Sequence, residues 1–243
     1  MMERVLYEQM AELDEVHWWY VARRKVLKSL IERRVHLPAN ARVLEVGCGT
    51  GHNLAMLGSF GRIDAVELDP EARAVAEKRL GRKISSARLP ALRGIERGAY
   101  DLVAALDVVE HIDDDSATMK SLASCLKPGG KLVVTVPAHQ WMWSRHDELN
   151  HHKRRYSKQA LRKLIEDSPL KLEVVGYFNS ILFPLAVAAR LASKASGKSG
   201  GEESLPVKPV NYLFERVFAA ERGLVGRVPL TPGLSLFAVA SAT

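Results

Sequence analysis

An acidic residue followed by three glycines at alternate positions is the first pattern in this chain that suggests chemistry. Residues 43–51 read VLEVGCGTG, with Glu45 two positions before Gly47, and with Gly49 and Gly51 completing the series. Glycine lets the backbone turn with φ > 0 and leaves no Cβ between the main chain and a ligand. The apolar residues before the turn predict a buried parallel strand, and leucines at helical spacing predict a short helix after it. Together these features predict a nucleotide-binding corner.

A second strand pattern ends in further acidic residues, within residues 62–69. Glu67 lies 20 residues after Gly47, at the distance where an acid can accept hydrogen bonds from ribose hydroxyls. A dinucleotide site requires G-x-G-x-x-G, and here His52 occupies the sixth position. The motif therefore argues against a dinucleotide-dependent oxidoreductase.

In these stretches the chain resembles the class I methyltransferases that depend on S-adenosylmethionine (SAM). Their first motif looks like V-L-E-V-G-C-G-T-G and their second like V-D-L-S-P-E, for which this chain has VELDPE at residues 66–71. Residues 99–111 resemble the family's F-D-x-V-x-x-x-D/E-V-L-E-H-I stretch, and residues 127–132 resemble its K-P-G-G-x-L turn. The resemblance implies SAM as the cofactor.

The resemblance also indicates which residues hold SAM. An arginine of the N-terminal segment often meets the methionine carboxylate in this family, and either Arg23 or Arg24 is suited to that role. Ser86 stands where relatives carry an acid for the adenine amine. Leu106 is expected against the adenine or ribose, and Asp107 near the cofactor's polar edge. The expected cofactor-binding residues are therefore Arg23, Arg24, Glu45, Gly47, Gly49, Gly51, Glu67, Leu68, Ser86, Leu106 and Asp107.

A polar and aromatic loop at residues 138–156 is the least ordinary stretch of the chain. It holds four of the eight histidines, which are His139, His146, His151 and His152. Transfer of a methyl group to a hydroxyl is helped by a base that titrates near neutral pH, and histidine is suited to that task. We therefore name His146 and His151 as candidate catalytic bases. The expected substrate-binding residues are Trp143, Arg154, Arg155 and Tyr156.

Other interpretations of these polar residues stay open. Glu110 and His111 follow the fourth predicted strand, where His111 is a further catalytic candidate, although both can also cap the next helix. A metal bound by His146, Asp147, His151 and His152 is a second hypothesis for the loop, but their spacing fits no firm metal signature. We therefore predict no metal site. A structural cap with exposed histidines is the third hypothesis.

The composition is that of an ordinary globular protein, with 47% apolar and 26% charged residues. A net charge of +7 permits an anionic partner but does not require one. The two cysteines make no disulfide framework, and acidic residues within 2–16 argue against a signal peptide. We therefore expect a cytoplasmic protein. The apolar segment 181–189 is expected to be a buried helix, with a lipid-like substrate or peripheral contact at the inner membrane face as alternatives.

The order of predicted elements indicates an α/β fold, a Rossmann-like three-layer sandwich. Its sheet is expected to have seven mostly parallel strands, with the last strand antiparallel. Residues 1–36 are expected to form an N-terminal helical lid, in which an acidic helix precedes a basic one. Residues 37–243 are expected to form the SAM-binding domain, with substrate covers at about 138–157 and 178–230. The segment 193–204 reads as a mobile loop.

The predicted function is SAM-dependent methylation of a small-molecule or lipid-like acceptor, most readily at oxygen. The pattern also resembles the ubiquinone-biosynthesis O-methyltransferases, over residues 17–136 and poorly beyond them. An RNA methyltransferase and a non-catalytic SAM-binding protein are the alternatives. No partner DNA is expected, because residues 106–109 do not read as the Asp/Asn-Pro-Pro-aromatic of amino-group DNA methyltransferases. The sequence makes no prediction of the oligomeric state.

Overall fold

The computed structural model describes residues 11, 13–196 and 205–243. The strands are β1 (Arg42–Val46), β2 (Arg62–Val66), β3 (Tyr100–Leu106), β4 (Leu126–Pro137), β5 (Leu170–Phe178) and β6 (Ser235–Ala242). The α-helices are α1 (Trp18–Arg34), α2 (Leu54–Gly58), α3 (Pro70–Leu80), α4 (Asp115–Cys125), α5 (Arg145–Leu149), α6 (Lys158–Glu166), α7 (Phe183–Ser196) and α8 (Lys208–Ala219). Short 3₁₀ turns lie at Val109–His111, Gln140–Met142 and Ala220–Gly223.

The described strands form one sheet in the order β2-β1-β3-β4-β6-β5. The pairs β1–β2, β1–β3 and β3–β4 are parallel, whereas β6 runs antiparallel to both β4 and β5. The predicted α/β class and the antiparallel last strand are thereby confirmed. The strand count differs, because the third predicted strand is reduced to a single parallel bridge between Ser85 and Val66. Just beyond the bridge, the amide of Ala87 donates to the Ser85 hydroxyl at 3.2 Å.

Two apolar clusters cover the two faces of the sheet, which gives the predicted three layers. One cluster joins α1, α2 and α8 to the sheet, and includes Leu30, Leu57 and Phe218. The other joins α4 and α6 to the opposite face, and includes Leu122 and Ile165. Because both faces are covered, the central strands read as continuous apolar runs, as parallel strands require.

The sequence predicts the basic helix from about Ala22 to Arg34, but in the structure this helix, α1, begins earlier, at Trp18. The His17 side chain accepts from the amide of Trp19 at 3.2 Å and caps the helix N-terminus. Trp18 then packs edge-on against Phe214 of α8, with 5.4 Å between ring centroids. The tertiary contact with α8 therefore brings the aromatic residues into the helix. Most of the acidic helix predicted before them lies outside the described residues.

The helix expected at residues 181–189 is present as α7, but the expectation that it is buried is wrong. Leu182 is buried at the start of the segment, but Leu185 and Leu191 of α7 are 53% and 60% exposed. Helices α1 and α8 already cover that face of the sheet, so α7 has little apolar surface left to bury against. The loop predicted at 193–204 overlaps the end of α7, and its remainder, 197–204, lies outside the described residues. None of the helices among the described residues combines the length with the hydropathy that a membrane span requires.

A buried carboxylate fixes the turn that leads from β5 to α7. Both oxygens of Glu221 accept backbone amides, from Asn179 at 2.6 Å, Ser180 at 2.6 Å and Ile181 at 2.7 Å. Glu221 is fully buried, so its burial raises the pKa of the carboxyl, while the three amides oppose that shift. The residue therefore connects the chain after α8 to the exit of β5.

Replacing Glu221 with alanine is expected to lower the free energy of unfolding by about 3 kcal/mol, since three amides lose their acceptor in a buried site. Glu166→Ala is the control, because its ion pair with Arg162 is exposed and spans one helical turn. That change should cost about 0.5 kcal/mol or less. Denaturant unfolding monitored by circular dichroism measures both. Equal losses in the two variants would contradict the role of Glu221.

Candidate functional site

Residues with positive φ lie where four of the strands leave the sheet. Gly47 follows β1 with φ of 73°, Asp107 follows β3 with 59°, and Asn179 follows β5 with 56°. His139 lies two residues beyond β4 with φ of 62°. Such backbone is costly for residues other than glycine, and strain of this kind clusters at functional sites. Because β5 runs parallel to β4 through β6, all four exits lie at the same edge of the sheet.

The glycine corner after β1 is held by the acid that ends β2. Glu67 accepts the amide of Gly49 at 2.7 Å through one oxygen and the amide of Asp69 at 2.8 Å through the other. Burial raises the pKa of Glu67, while these two amides lower it. Each carboxylate oxygen keeps a further lone pair, and these are the sites to which ribose hydroxyls can donate.

Gly47 is needed at its position for two separate reasons. Its φ of 73° lies in the left-handed region, and a Cβ built there would lie 2.6 Å from the Cγ2 atom of Val108. The turn after β1 and the turn after β3 therefore touch directly. The sequence identified the first requirement, but the contact with Val108 is visible only in the tertiary structure.

Arg23, rather than Arg24, points into the site. Its guanidinium is 2% exposed, forms an ion pair with Asp107 at 2.7 Å and donates to the hydroxyl of Thr135 at 2.7 Å. The ring of Trp19 stacks against it, with 5.2 Å to the centroid. Arg24 instead donates to a backbone carbonyl of the N-terminal segment, at 2.6 Å. The structure thus separates two arginines that the sequence left as equal candidates.

Glu45 lies buried beneath the glycine corner. One of its oxygens accepts the side-chain amide of Asn53 at 3.0 Å, and the other has no partner among the described residues. Burial raises the pKa of Glu45 to about 8. Nε of Arg23 is likewise buried without a partner in the described part of the chain. A carboxyl oxygen and a guanidinium N–H that both lack a partner suit the amino-acid end of a ligand such as SAM.

The segment before α1 contacts the glycine corner through Asp14. The carboxylate of Asp14 is fully buried, pairs with Arg79 at 2.5 Å and accepts the hydroxyl of Thr50 at 3.1 Å. Tyr20 meets His52 edge-on, with 5.4 Å between ring centroids. Burial, with nearby arginines, lowers the pKa of His52 to about 3, so this imidazole is neutral. These contacts support the expected N-terminal lid, which stays a prediction.

The residues expected near the adenine differ in their exposure. Leu106 is buried at the end of β3, whereas Leu68 is 47% exposed beside Glu67. Ser86 is exposed just after the bridge to β2. Their roles in cofactor binding stay predictions. The buried residues of the corner nevertheless fit the parts of SAM: Glu67 suits the ribose, while Arg23 and Glu45 suit the charged amino-acid end.

A cluster of three ionisable residues lies at the exit of β3. Glu110 is fully buried, and neither of its oxygens has a partner among the described residues. The rings of His111 and His152 meet edge-on at 4.7 Å. Burial, with His152 nearby, lowers the pKa of His111 to about 4. Sequence reasoning named His111 as a catalytic candidate but not His152, which comes from a segment about 40 residues away.

The other two candidate bases lie further out. His151 is exposed and adopts a φ of 54°. His146 is half-buried, and its ring centroid lies 6.2 Å from that of His152. The structure therefore gathers His111 and His152 around Glu110 and leaves His151 at the surface. The catalytic roles of His146 and His151 stay predictions.

Three of the four expected substrate-binding residues have partners within the protein. Arg154 pairs with Asp115 at 2.7 Å, and the hydroxyl of the buried Tyr156 donates to the same carboxylate at 2.8 Å. Arg155 pairs with Asp147 at 2.7 Å. The two contacts with Asp115 hold the loop after β4 against α4, whereas the pair of Arg155 and Asp147 lies within the loop. Trp143 is half-buried, and contact of any of the four with a substrate stays a prediction.

An aromatic group beyond β4 was not predicted. The ring of His139 stacks on Tyr177 at 5.4 Å and lies 5.3 Å from that of Phe183. Phe183 also lines an apolar groove of about 780 Å³. The groove is lined on one side by α7 and on the other by residues 229–232. Only the apolar run at 181–189 gave a sequence signal for it.

Comparison with known proteins identifies a family match. The family model for a methyltransferase domain matches residues 19–173, which is more than half of the chain. The ubiquinone biosynthesis O-methyltransferase of Xanthomonas axonopodis pv. citri (strain 306) is 35% identical over 109 residues. That match covers 41% of this chain and 44% of the relative, so the chain spans less than half the length of the protein it matches.

Solved structures with the same fold are more distant in sequence. Phosphoethanolamine N-methyltransferase 2 of Haemonchus contortus, in complex with SAM, matches with a TM-score of 0.58 at 17% identity, over 88% of this chain and 51% of that one. Geranyl diphosphate C-methyltransferase of Streptomyces coelicolor A3(2) matches with a TM-score of 0.57 at 14% identity, over 88% of this chain and 74% of that one. At such identities these likenesses concern the fold alone.

Substitution of Gly47 by alanine is expected to weaken SAM binding at least tenfold and to lower the melting temperature. The reason is that the new Cβ strains a left-handed backbone and meets Val108. Adding Val108→Ala to Gly47→Ala should recover part of the loss, because it removes the contact but not the strain. Calorimetric titration and thermal unfolding measure the two effects.

Gly223→Ala is the matched control, since no atom lies within 4 Å of the Cβ it would add. We expect no change in SAM affinity there. If Gly47→Ala binds SAM as the wild type does, the glycine corner is not the cofactor site.

Proposed function

The chain belongs to the class I SAM-dependent methyltransferases, and on that premise we propose that it transfers a methyl group to a hydroxyl oxygen of a small, partly apolar molecule. One observation carries the proposal: the ion pair of Arg23 with Asp107 lies at the same sheet edge as the glycine corner held by Glu67. A cation for the cofactor's carboxylate and an acid for its ribose therefore meet at the carboxyl ends of parallel strands. In open α/β sheets this edge is where ligands bind.

The protein's part in such a transfer is to align two reactants and exclude water. Bound SAM supplies a methyl group on a sulfonium, which the acceptor oxygen takes as the carbon–sulfur electrons pass to the sulfur and the hydroxyl proton is released. Arg23 would hold the donor's carboxylate and Glu67 its ribose, and together they would fix the direction of approach. The Asp14 contacts with Thr50 and Arg79 close the corner against solvent.

The acceptor side is assigned to the cluster of Glu110, His111 and His152. O-methylation needs a group that stabilises the oxygen as its proton leaves. Asp107 lies three residues before Glu110, at the same strand exit, so donor and acceptor groups adjoin. The curated relative is named as an O-methyltransferase, which agrees with oxygen as the acceptor atom.

The apolar part of the acceptor is assigned to the groove between α7 and residues 229–232. The groove adjoins His139 through Phe183, and His139 follows the strand that carries Thr135. Thr135 in turn hydrogen-bonds both Arg23 and Asp107, at 2.7 and 2.9 Å. One strand thus leads from the donor site to the apolar surface, which supports a lipid-like acceptor.

The two neighbouring arginines provide a sharp test of the donor site. Arg23→Ala is expected to weaken SAM binding about 30-fold or more, because a buried cation that fits the carboxylate is lost. Arg24→Ala should change the affinity less than threefold, since its guanidinium donates to the carbonyl of Asp14 instead. Isothermal calorimetry with SAM and with its demethylated product measures both.

Arg23→Lys is the control for misfolding in this test. It keeps the charge near Asp107 but loses the planar fork, so an intermediate loss of affinity is expected. Equal affinities of the Arg23→Ala and Arg24→Ala variants would remove Arg23 from the donor site.

The reaction itself is tested by incubating the protein with methyl-labelled SAM and fractionated cell extract. Label that moves into the organic phase and resists mild base is expected, as an ether should. Label in RNA would overturn the choice of acceptor. If SAM binds but no fraction gains label, the non-catalytic SAM-binding alternative is favoured.

A further inference from the structure

Glu110, His111 and His152 come together in the interior although they are far apart in the chain. Each offers one potential ligand atom, and these atoms all lie within 4.8 Å of one another. Neither oxygen of Glu110 has a hydrogen-bond partner among the described residues, and the side chain is fully buried. A buried carboxyl without partners is rare and calls for an explanation.

One histidine of the cluster, His152, has a ring nitrogen already engaged. Nδ1 of His152 lies 2.8 Å from a carboxylate oxygen of Asp147. Metal-binding histidines characteristically make such a bond to a carboxylate or a carbonyl, which fixes the ring and leaves the other nitrogen bare.

We propose that Glu110, His111 and His152 bind one divalent transition-metal ion of the zinc type. Two imidazoles and one carboxylate form a donor set that zinc uses in open sites, where a fourth position remains for water or substrate. Magnesium and calcium prefer oxygen donors, so the two nitrogens disfavour them.

The backbone around the cluster holds the donors close to the geometry that a metal requires. The amide of Lys153 donates to the carbonyl of Glu110 at 2.7 Å, and the amide of His152 donates to that of Asp147 at 2.9 Å. Donors bound to zinc at about 2.0–2.1 Å would lie about 3.3 Å apart. Side-chain rotations must therefore bring the three atoms closer by up to about 1.5 Å, while the backbone keeps its bonds.

Asp147 is a positioning residue in this arrangement rather than a ligand. One of its oxygens lies 2.8 Å from Nδ1 of His152 and accepts Nε of Arg155 at 2.7 Å. Its second oxygen accepts the amide of Ser144 at 2.9 Å. Both oxygens of the carboxyl group are thus engaged, which suits an orienting group. The proposal replaces the metal hypothesis based on loop spacing alone, and it differs from the prediction of no metal site.

The open coordination position could bind the acceptor hydroxyl in methyl transfer, and this role rests on the proposed function. An acceptor hydroxyl bound there would lose its proton more readily, because a divalent cation stabilises the oxyanion. Asp107, three residues away at the same strand exit, pairs with Arg23 of the donor site. Metal binding itself does not depend on that role.

The experiment uses the full chain, stripped with a chelator and dialysed, and titrated calorimetrically with zinc and with cobalt in the absence of SAM. We expect one equivalent of either metal per chain. Glu110→Gln and His152→Ala should each weaken binding at least 100-fold, and Asp147→Asn about 10- to 100-fold. His36→Ala is the control, because His36 is exposed just after α1. It should bind as the wild type does.

Sub-stoichiometric binding in the wild type would overturn the proposal, as would wild-type affinity in Glu110→Gln and His152→Ala. So would tight binding of magnesium in place of zinc. Circular dichroism of each variant identifies any that fails to fold. X-ray absorption of the zinc-loaded wild type needs no variant: two imidazole nitrogens and an oxygen are expected around the metal, and a shell without imidazole contradicts the site. Because no methyl donor is present, these results stand apart from any loss of methyl transfer.

Discussion

The carboxyl edge of the sheet depends on abrupt turns of the chain. The exits of β1, β3, β4 and β5 all pass through a residue with positive φ, and only the first of these is glycine. For Asp107, His139 and Asn179 this backbone is costly, so the surrounding contacts must hold it. Asp107 is held by Arg23 and Thr135, and Asn179 by the carboxylate of Glu221. These turns place polar side chains at the carboxyl ends of the strands, where the candidate site lies.

Buried charges connect these turns to one another. The pair of Arg23 and Asp107 joins α1 to β3, and Thr135 extends that link to β4. Asp147 joins the loop after β4 to His152 and Arg155. Burying single ions is costly, but a fully hydrogen-bonded pair offsets much of that cost. The first group of contacts lies on the donor side of the proposed site, and the second lies on its acceptor side.

The local sequence pattern was sufficient to predict elements whose ends are set by residues close by in the chain. The pattern of residues 70–80 predicts a helix with Pro70 in its first turn, and α3 has these bounds. In the structure, Gly81 ends the helix in the left-handed conformation. Ser157 caps α6 as expected, accepting the amide of Ala160. The pattern failed for α7, because apolar character indicates that a segment can be buried but not whether a free surface exists to bury it. It also over-counted strands, since pairing at Ser85 depends on where the chain turns next.

The sequence alone determined the cofactor class and the α/β architecture, because the glycine corner and the acid at the end of β2 act through backbone geometry within a few residues of themselves. It could not choose between Arg23 and Arg24, which are adjacent in a helix whose orientation is set by packing against α8 and the sheet. Nor could it bring His152 to Glu110 and His111, since that contact depends on how the loop after β4 folds back onto the turn after β3. Contacts between distant segments arise from the shared core, and only the tertiary structure decides them.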